Sequence, residues 1–368
     1  MRIGIGAIVG ILGGPATYAR ELVRALAVVG GHDYTVFTDR PDAFAGIDVA
    51  TVLVPLPSPW HQLTWDHLRL PGLLARAGVD LYHGTKNVLP WRLRVPSVVT
   101  VHDLAVYACP ETFALPQRWH FRLLVPRSVA VAQRVIAVSM HARDDMMARL
   151  ALPAGRVVAI PNAVGDAYLE PLPEGAVEAL RADHGLGERL IACVGTVQPR
   201  KHVERVIEAF VAAGAAARGW ELVIAGRVRP GYAPPWLESL PPRVRWLGPL
   251  DDRALRALYA ASEIAMNASE YEGFGLTICE AMASGCAVIA VANSSIPEVV
   301  GQAGMLVSRS DADLLAAALA RLLAEPETRA ALGRAARSRA MRFTWEETAR
   351  QTRAVYDGVL AAEAGGRT

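Results

Sequence analysis

The stretch Leu190-Ile-Ala-Cys-Val-Gly-Thr-Val-Gln-Pro-Arg-Lys-His-Val-Glu204 joins a short apolar run to a loop and then to an amphipathic pattern that continues to Ala213. Apolar residues from Leu190 to Val194, closed by glycine, read as a buried strand, and the segment from Glu204 repeats its apolar residues at helical spacing. Strand, loop and helix in that order form the unit of a parallel sheet covered by helices.

The same unit recurs on both sides of this stretch. Ahead of it come Ile3 to Ile8 followed by Ala16 to Val29, then Tyr34 to Thr38, Leu81 to His83, Ser97 to Val101, and Val135 to Val138 followed by His141 to Leu150. Beyond it come Glu221 to Ala225, Arg243 to Leu247, Asp252 to Ala261, Ile264 to Asn267 and Ala287 to Val291. Between the two series, residues 161–187 carry Pro161, Gly165, Pro171, Pro173 and Gly175 and read as a loose connection. A chain of 368 residues is long enough for two cores. The expectation is an α/β protein of two doubly wound parallel sheets, with the boundary near Gly165. Open parallel sheets bind ligands at the carboxyl ends of their strands, so two facing sheets would leave a cleft with the functional residues in strand-end loops. The last helix follows Phe343-Thr-Trp-Glu-Glu347, where Thr344 can cap and Glu347 can complete a capping box.

Composition narrows the function classes. Hydrophobic residues make up 52% and charged residues 20%, a globular balance without a disordered tail. With 38 basic and 36 acidic residues the net charge is +2, so no global field points to nucleic acid, and affinity for anions has to be local. Cys109, Cys193, Cys279 and Cys286 lack zinc-site spacing and read as reduced thiols of a cytoplasmic protein. Met1-Arg-Ile-Gly-Ile-Gly-Ala-Ile8 reads as a first strand rather than an export signal, and no apolar run reaches the ~18 residues of a membrane span. The expectation is a soluble protein, or one peripheral at the inner face of the membrane.

Two stretches of the second half carry chemistry. Arg200 and Lys201 fall at or just before a helix start, where cations oppose the helix dipole unless an anion sits with them. Gly273-Phe-Gly275 opens a second helix near Leu276, with Glu280 one turn in and Glu272 in the loop ahead. Two helix starts suit a diphosphate, and carboxylates accept hydrogen bonds from vicinal diols. A basic pair or two glutamates alone would be ordinary surface residues. Together with the glycines they fit a nucleotide sugar.

In the first half, Gly13 and Gly14 precede a helix beginning near Pro15 or Ala16, and His102-Asp103 follows the strand ending at Val101. Taken alone, these read as an ordinary turn and a satisfied turn pair. Asp103 either orients the histidine or caps the next segment. Leu115-Pro-Gln-Arg-Trp-His-Phe-Arg-Leu-Leu-Val-Pro-Arg127 interleaves aromatics and cations. It is expected to pack its apolar side with its arginines solvated, contact with a lipid headgroup or lipid-linked acceptor being the other reading. Trp60-His-Gln-Leu-Thr-Trp65 is read the same way. Two motifs are set aside. Asp311-Ala-Asp313 spells a metal-binding Asp-x-Asp but runs straight into a helix and reads as a cap. Gly4, Gly6 and Gly10, with Asp39 beyond, lack the spacing of a dinucleotide loop, because the first two glycines fall inside the strand.

With these motifs in hand, the chain resembles a family 4 (GT4-type) glycosyltransferase of the GT-B fold. The resemblance rests on Gly13-Gly14 with Tyr18-Ala-Arg-Glu21, Tyr82-His-Gly-Thr-Lys-Asn-Val-Leu-Pro90, Val99-Thr-Val-His-Asp-Leu104, Val135-Ile-Ala-Val-Ser139, Val194-Gly-Thr-Val-Gln-Pro-Arg-Lys201 and Glu272-Gly-Phe-Gly-Leu-Thr-Ile-Cys-Glu280. It implies an acceptor-side domain of residues 1–165 completed by a returning helix, 345–368, and a donor-binding domain of residues 166–344. By the same resemblance Arg200 and Lys201 contact the diphosphate, Glu280 holds the ribose, and Glu272 with Gly273, Phe274 and Gly275 holds the donor sugar. Gly14, Gly195, Thr196, Leu276 and Thr277 border the donor, and His102 bonds its sugar. Gly13 and Asp103 lie on the acceptor side. The implied reaction is retaining hexosyl transfer from a nucleoside diphosphate sugar, GDP-mannose by preference, to a glycan, lipid-linked or small-molecule acceptor. No cofactor or obligatory metal is expected. UDP-glucose or UDP-N-acetylglucosamine transfer, a non-catalytic nucleotide-sugar-binding protein and an NAD-dependent oxidoreductase are the alternatives.

Overall fold

Alternating apolar runs and amphipathic helices build two parallel sheets. The computed structural model describes residues 1–8, 13–55 and 67–365. The chain divides into two compact units, one of Met1–Asn162 with the C-terminal segment from Trp345, the other of Ala163–Thr344.

The first unit contains strands β1 (Arg2–Ala7), β2 (Asp33–Thr38), β3 (Ala50–Leu53), β4 (Leu81–Gly84), β5 (Ser97–Val101), β6 (Arg134–Ala137) and β7 (Val157–Ala159). Among the described residues they form one sheet in the order β3-β2-β1-β4-β5-β6-β7, every pair parallel. All of β5 and five of the six residues of β1 are buried, as strands covered on both faces must be. Gly4 and Gly6 lie inside β1 because neighbouring side chains need the space. A Cβ on Gly6 would stand 2.0 Å from the Tyr82 hydroxyl, and one on Gly4 would stand 3.0 Å from Val79. They are packing glycines, and Asp39 merely follows β2. Gly10 lies outside the described residues, as do Trp60 to Trp65.

The helix Trp345–Gly365 belongs to this unit and packs on the helix Gly14–Val29. Its buried face runs Trp345, Thr348, Ala349, Thr352, Tyr356, Val359, a stripe at helical spacing. A buried polar chain fixes its register. His83 Nδ1 meets the Tyr356 hydroxyl at 2.6 Å, His83 Nε2 meets Thr100 Oγ1 at 2.8 Å, and the Tyr18 hydroxyl meets the same Oγ1 at 2.9 Å. Burial pushes the His83 pKa down to about 3, so the ring is neutral and gives one donor and one acceptor. Its contribution to stability is fully present above the ordinary histidine pKa near 6.5 and is lost as pH falls from there toward 3. Tyr356→Phe leaves His83 Nδ1 without this partner and should lower unfolding free energy by about 1–3 kcal/mol in urea titrations at pH 7.5. An unchanged midpoint would mean that the bond does not hold the helix.

The second unit contains β8 (Arg189–Val194), β9 (Trp220–Ala225), β10 (Val244–Trp246), β11 (Ser262–Asn267), β12 (Ala287–Val291) and β13 (Gly304–Val307). Their order is β10-β9-β8-β11-β12-β13, again parallel throughout. Ile191, Phe210, Leu222, Ile264, Ile289 and Leu319 are fully buried in its core. Residues 161–187 are more ordered than their prolines and glycines suggest. They include the helix Ala176–His184, whose ends are Gly175 and Gly185 in the left-handed conformation, φ 74° and 60°. Glycines that read as breaks are the two caps of an element, and its buried Ala176 and Leu180 face the helix Asp252–Ala261. Asp311 caps the helix Ala312–Ala324, its Oδ1 accepting from the N–H groups of Asp313 and Leu314 at 3.1 Å each. The four cysteines are buried thiols, not joined in disulfides. Among the described residues no helix is long and apolar enough to cross a membrane.

Candidate functional site

In the second unit β8 lies between β9 and β11, so the chain leaves it to one side first and later returns on the other. Loops leaving β8 and β11 therefore diverge at a topological switch point, where open α/β sheets place ligands. The β8 loop turns at Gly195, φ 145°, whose N–H donates to the Ala225 carbonyl at 2.9 Å. Thr196 is half-buried, and Pro199–Lys201 forms one 3-10 turn before His202, φ 46°, leads into the helix Val203–Ala212. Arg200 and Lys201 thus stand just ahead of a helix start. Lys201 reaches back over Gly195, and a small pocket between the strand ends is lined by Gly195, Thr196, Lys201, Asn267 and Ser269.

The β11 loop is stitched to this turn. The Glu270 N–H donates to the Arg200 carbonyl at 2.8 Å, the Arg200 guanidinium donates to the Tyr271 carbonyl, and Lys201 Nζ is paired with Glu272 Oε1. His202 bridges Glu204 at 2.9 Å and Glu270 at 3.2 Å, and these carboxylates, Glu204 first, raise its pKa. Arg200 Nη1 lies 3.6 Å from Glu272 Oε2. The anion that the helix-start cations require is therefore supplied within the chain.

Glu272 itself is buried. Burial alone would raise its pKa, but Lys201 and then Arg200 overcome that and hold it at about 2. Lys201 is pulled below the usual lysine value by burial and by Arg200, against the attraction of Glu272. The Glu272 backbone is clamped from a third loop, its N–H donating to Ser294 Oγ at 2.8 Å and its carbonyl accepting from Ser295 Oγ at 2.9 Å. Ser294 has φ 44°, an uncommon conformation for a residue with a side chain.

Gly273, Phe274 and Gly275 lead into the helix Leu276–Ala283, which begins where its sequence predicts. Gly275 has φ 93°, and a Cβ there would stand 2.9 Å from Ile296 Cδ1, so no other residue fits without strain. Phe274 is buried edge-on against Phe343 at 5.4 Å and acts as an anchor for the turn. Leu276, Thr277 and Glu280 are half-buried on the first turns of this helix, with the Thr277 carbonyl accepting from the Tyr259 hydroxyl at 3.0 Å.

In the first unit the switch point lies at β1, between β2 and β4. Gly13, φ 104°, and Gly14 are exposed at the start of the helix Gly14–Val29, and among the described residues nothing would meet a Cβ on Gly13 within 4 Å. His102 follows β5 and is held on two sides, its backbone N–H by Asn87 Oδ1 at 2.8 Å and its Nε2 by the Thr85 carbonyl at 2.7 Å. A carbonyl only accepts, so Nε2 carries the proton. Burial lowers the ring pKa, against the Thr85 bond, and the neutral ring then presents Nδ1 as an acceptor. The Asp103 charge also opposes the fall in the His102 pKa, though less than the Thr85 bond does. Asp103 Oδ1 accepts from the Ala105 N–H at 3.1 Å, a local bond two residues along that braces the start of the next segment.

The helix Leu115–Val131 buries Leu124, Val125, Ser128 and Val129. Its arginines are not simply solvated. Arg118 donates to the Phe113 carbonyl at 2.8 Å, and Arg122 and Arg127 lie over the rings of Tyr107 and Trp91, each 5.8 Å from the centroid. Leu115, Trp119 and Leu123, four residues apart, remain 65%, 74% and 68% exposed. No acidic residue occurs in this helix.

Comparisons with known proteins identify the family and the fold. Residues 177–339 match the family model described as Glycosyl transferases group 1, and residues 12–167 match the one described as Glycosyltransferase Family 4. The chain is 30% identical to the MMP alpha-(1->4)-mannosyltransferase of Mycolicibacterium hassiacum, over 95% of each chain. It is 29% identical to the O-antigen chain mannosyltransferase B of Escherichia coli, over 75% of this chain and 74% of that one. A solved sucrose-phosphate synthase from Thermosynechococcus elongatus superposes with a TM-score of 0.78 at 26% identity, covering 98% of this chain and 99% of that one.

Proposed function

Because the chain belongs to glycosyltransferase family 4, an enzyme family whose GT-B architecture it shares, we propose that it transfers mannose from GDP-mannose, with retention and without an obligatory metal, to a hydroxyl of a glycan or lipid-linked acceptor. The observation that carries the donor reading is the buried cluster of Arg200, Lys201 and Glu272 at the switch point of the second sheet. Arg200 and Lys201 hold the diphosphate, and their charge stabilises the leaving phosphate in the way a metal ion otherwise would. Glu280 takes the ribose hydroxyls, while Glu272 and the Gly273–Gly275 turn take the sugar. His102 offers Nδ1 to a sugar hydroxyl. The acceptor attacks from the face the diphosphate leaves, and the leaving phosphate oxygen receives the acceptor proton. Mannose is preferred because both curated relatives described above are named as mannosyltransferases.

A thermal-shift panel of UDP-, GDP- and ADP-sugars tests the donor. The correct one at about 100 times its Kd should stabilise by roughly 2.7 kcal/mol. Transfer should then survive EDTA and give a product with the donor's anomeric configuration by NMR. An inverted product would overturn retention, and stabilisation by UDP-sugars alone would replace mannose with the second donor reading.

Peripheral membrane contact belongs to the same proposal and rests on the Leu115, Trp119, Leu123 stripe beside Arg118, Arg122 and Arg127. The protein should co-sediment with phosphatidylglycerol vesicles and not with phosphatidylcholine vesicles. Trp119→Ser should release most of it; equal sedimentation of variant and wild type would remove this helix from the contact.

A further inference from the structure

We propose that Glu272 serves as an internal stand-in for the donor's phosphate, occupying Lys201 and Arg200 in the unliganded protein and moving to the sugar only when a diphosphate displaces it. The inference rests on the donor reading above and adds a second role for the same carboxylate.

Three observations converge on it. First, the two cations nominated for diphosphate already have an anion: Lys201 Nζ is paired with Glu272 Oε1, and Arg200 Nη1 lies 3.6 Å from Oε2. The side chains of Arg200 and Lys201 are each 13% exposed and that of Glu272 is 8% exposed, so water does little to screen the arrangement. Second, two cations ahead of the helix Val203–Ala212 would repel each other and the helix dipole if left alone. A buried charge without a partner is costly, so an empty site needs some anion. Third, the Glu272 backbone is gripped by Ser294 Oγ and Ser295 Oγ, which leaves the side chain as the part able to turn. Ser294 and Ser295 are then positioning residues: they keep the carboxylate within reach of both the cations and the sugar that follows the phosphate.

The arrangement couples recognition of the two halves of the donor. A nucleoside diphosphate without sugar has to evict Glu272 and gives the carboxylate nothing in return. A nucleotide sugar evicts it and offers hydroxyls in exchange. Bare nucleoside diphosphate is thereby disfavoured relative to the intact donor, which helps product leave.

The test compares sugar-free ligands, on which a carboxylate that only grips sugar has no effect. GDP, UDP and ADP are titrated by calorimetry into the full chain and into Glu272→Gln, which removes the charge at nearly constant shape. Whichever nucleotide binds wild type should bind Glu272→Gln about tenfold more tightly, a factor equivalent to about 1.4 kcal/mol. The advantage of the intact nucleotide sugar over the bare diphosphate should shrink in the same variant. Glu272→Asp, with its carboxylate drawn back from Lys201, should shift affinity in the same direction by a smaller factor and decides the matter if the glutamine variant does not fold. Unchanged or weaker diphosphate binding in the folded variants overturns the stand-in and leaves the donor reading intact. Absence of nucleoside diphosphate binding in wild type and variants alike overturns both.

Discussion

Lys201→Ala is expected to reduce transfer by two to three orders of magnitude and to change how stability depends on pH. The first effect follows from removing a preorganised donor aimed at the leaving phosphate, a class of change that costs about 10²–10³ in rate. The second follows from the carboxylate left behind. In the intact protein the lysine and Arg200 overcome burial and hold Glu272 at about 2. A carboxyl with a depressed pKa stabilises the fold fully above its unfolded value, near 4.3, and that contribution is lost as pH falls toward 2. Without the lysine, Arg200 is the one cation left to oppose burial and the Glu272 pKa rises, so its charge supports folding less at neutral pH. Breaking one partner of a buried pair costs about 3–5 kcal/mol. The gap between variant and wild type in urea midpoints should therefore be widest near pH 7 and should narrow as pH falls from about 4.5 toward 2. A constant gap at every pH would mean that Lys201 does not set the charge state of Glu272. Lys201→Arg should keep more of the stability than of the rate, because a planar guanidinium restores the charge without the amine's geometry.

Much of the fold was legible because its signals are local. Ser97 to Val101, Asp252 to Ala261 and Ala287 to Val291 are bounded as their apolar runs predict. The start of a helix at Leu276 and the cap at Asp311 follow from residues within a few positions of each. What stayed hidden depends on contacts distant in sequence. Gly6 is glycine because of Tyr82, and the proton on His102 Nε2 is placed by a backbone carbonyl at Thr85, which no side-chain pattern announces. The helix Ala176–His184 was masked by the glycines that end it. Glu272 was legible as a hydroxyl grip, whereas its pairing with Lys201, 71 positions away, needed the two loops to be seen side by side. His202, Glu270, Ser294 and Ser295 were missed for the same reason, since each makes a bond to a neighbouring loop.

Gly226→Ala is the substitution expected to damage the site most without touching any charged residue. Gly226 follows β9 as Gly195 follows β8, and the two backbones cross so closely that a Cβ on Gly226 would stand 2.0 Å from the Gly195 carbonyl oxygen and 2.7 Å from its carbon. Backbone atoms cannot rotate away as a side-chain tip can. Gly226 has no freedom to retreat either, because its N–H donates to the Gly248 carbonyl at 2.8 Å and its carbonyl accepts from Trp246 Nε1 at 3.0 Å. Its φ of 143° adds strain for any residue with a side chain. The collision has to be relieved by moving Gly195, which breaks its bond to the Ala225 carbonyl and carries the turn bearing Arg200 and Lys201 with it. We expect a loss of roughly 3–5 kcal/mol, at the upper end for single substitutions, together with loss of nucleoside diphosphate binding in whatever fraction remains folded. Gly231→Ala separates the two causes: φ there is 79° but among the described residues nothing lies within 4 Å of the added carbon, so only backbone strain of about 1–2 kcal/mol should appear. Equal melting temperatures for the two variants would show that the strand ends part easily. Such parting would shift Gly195 beneath Lys201, the residue whose amine pairs with Glu272.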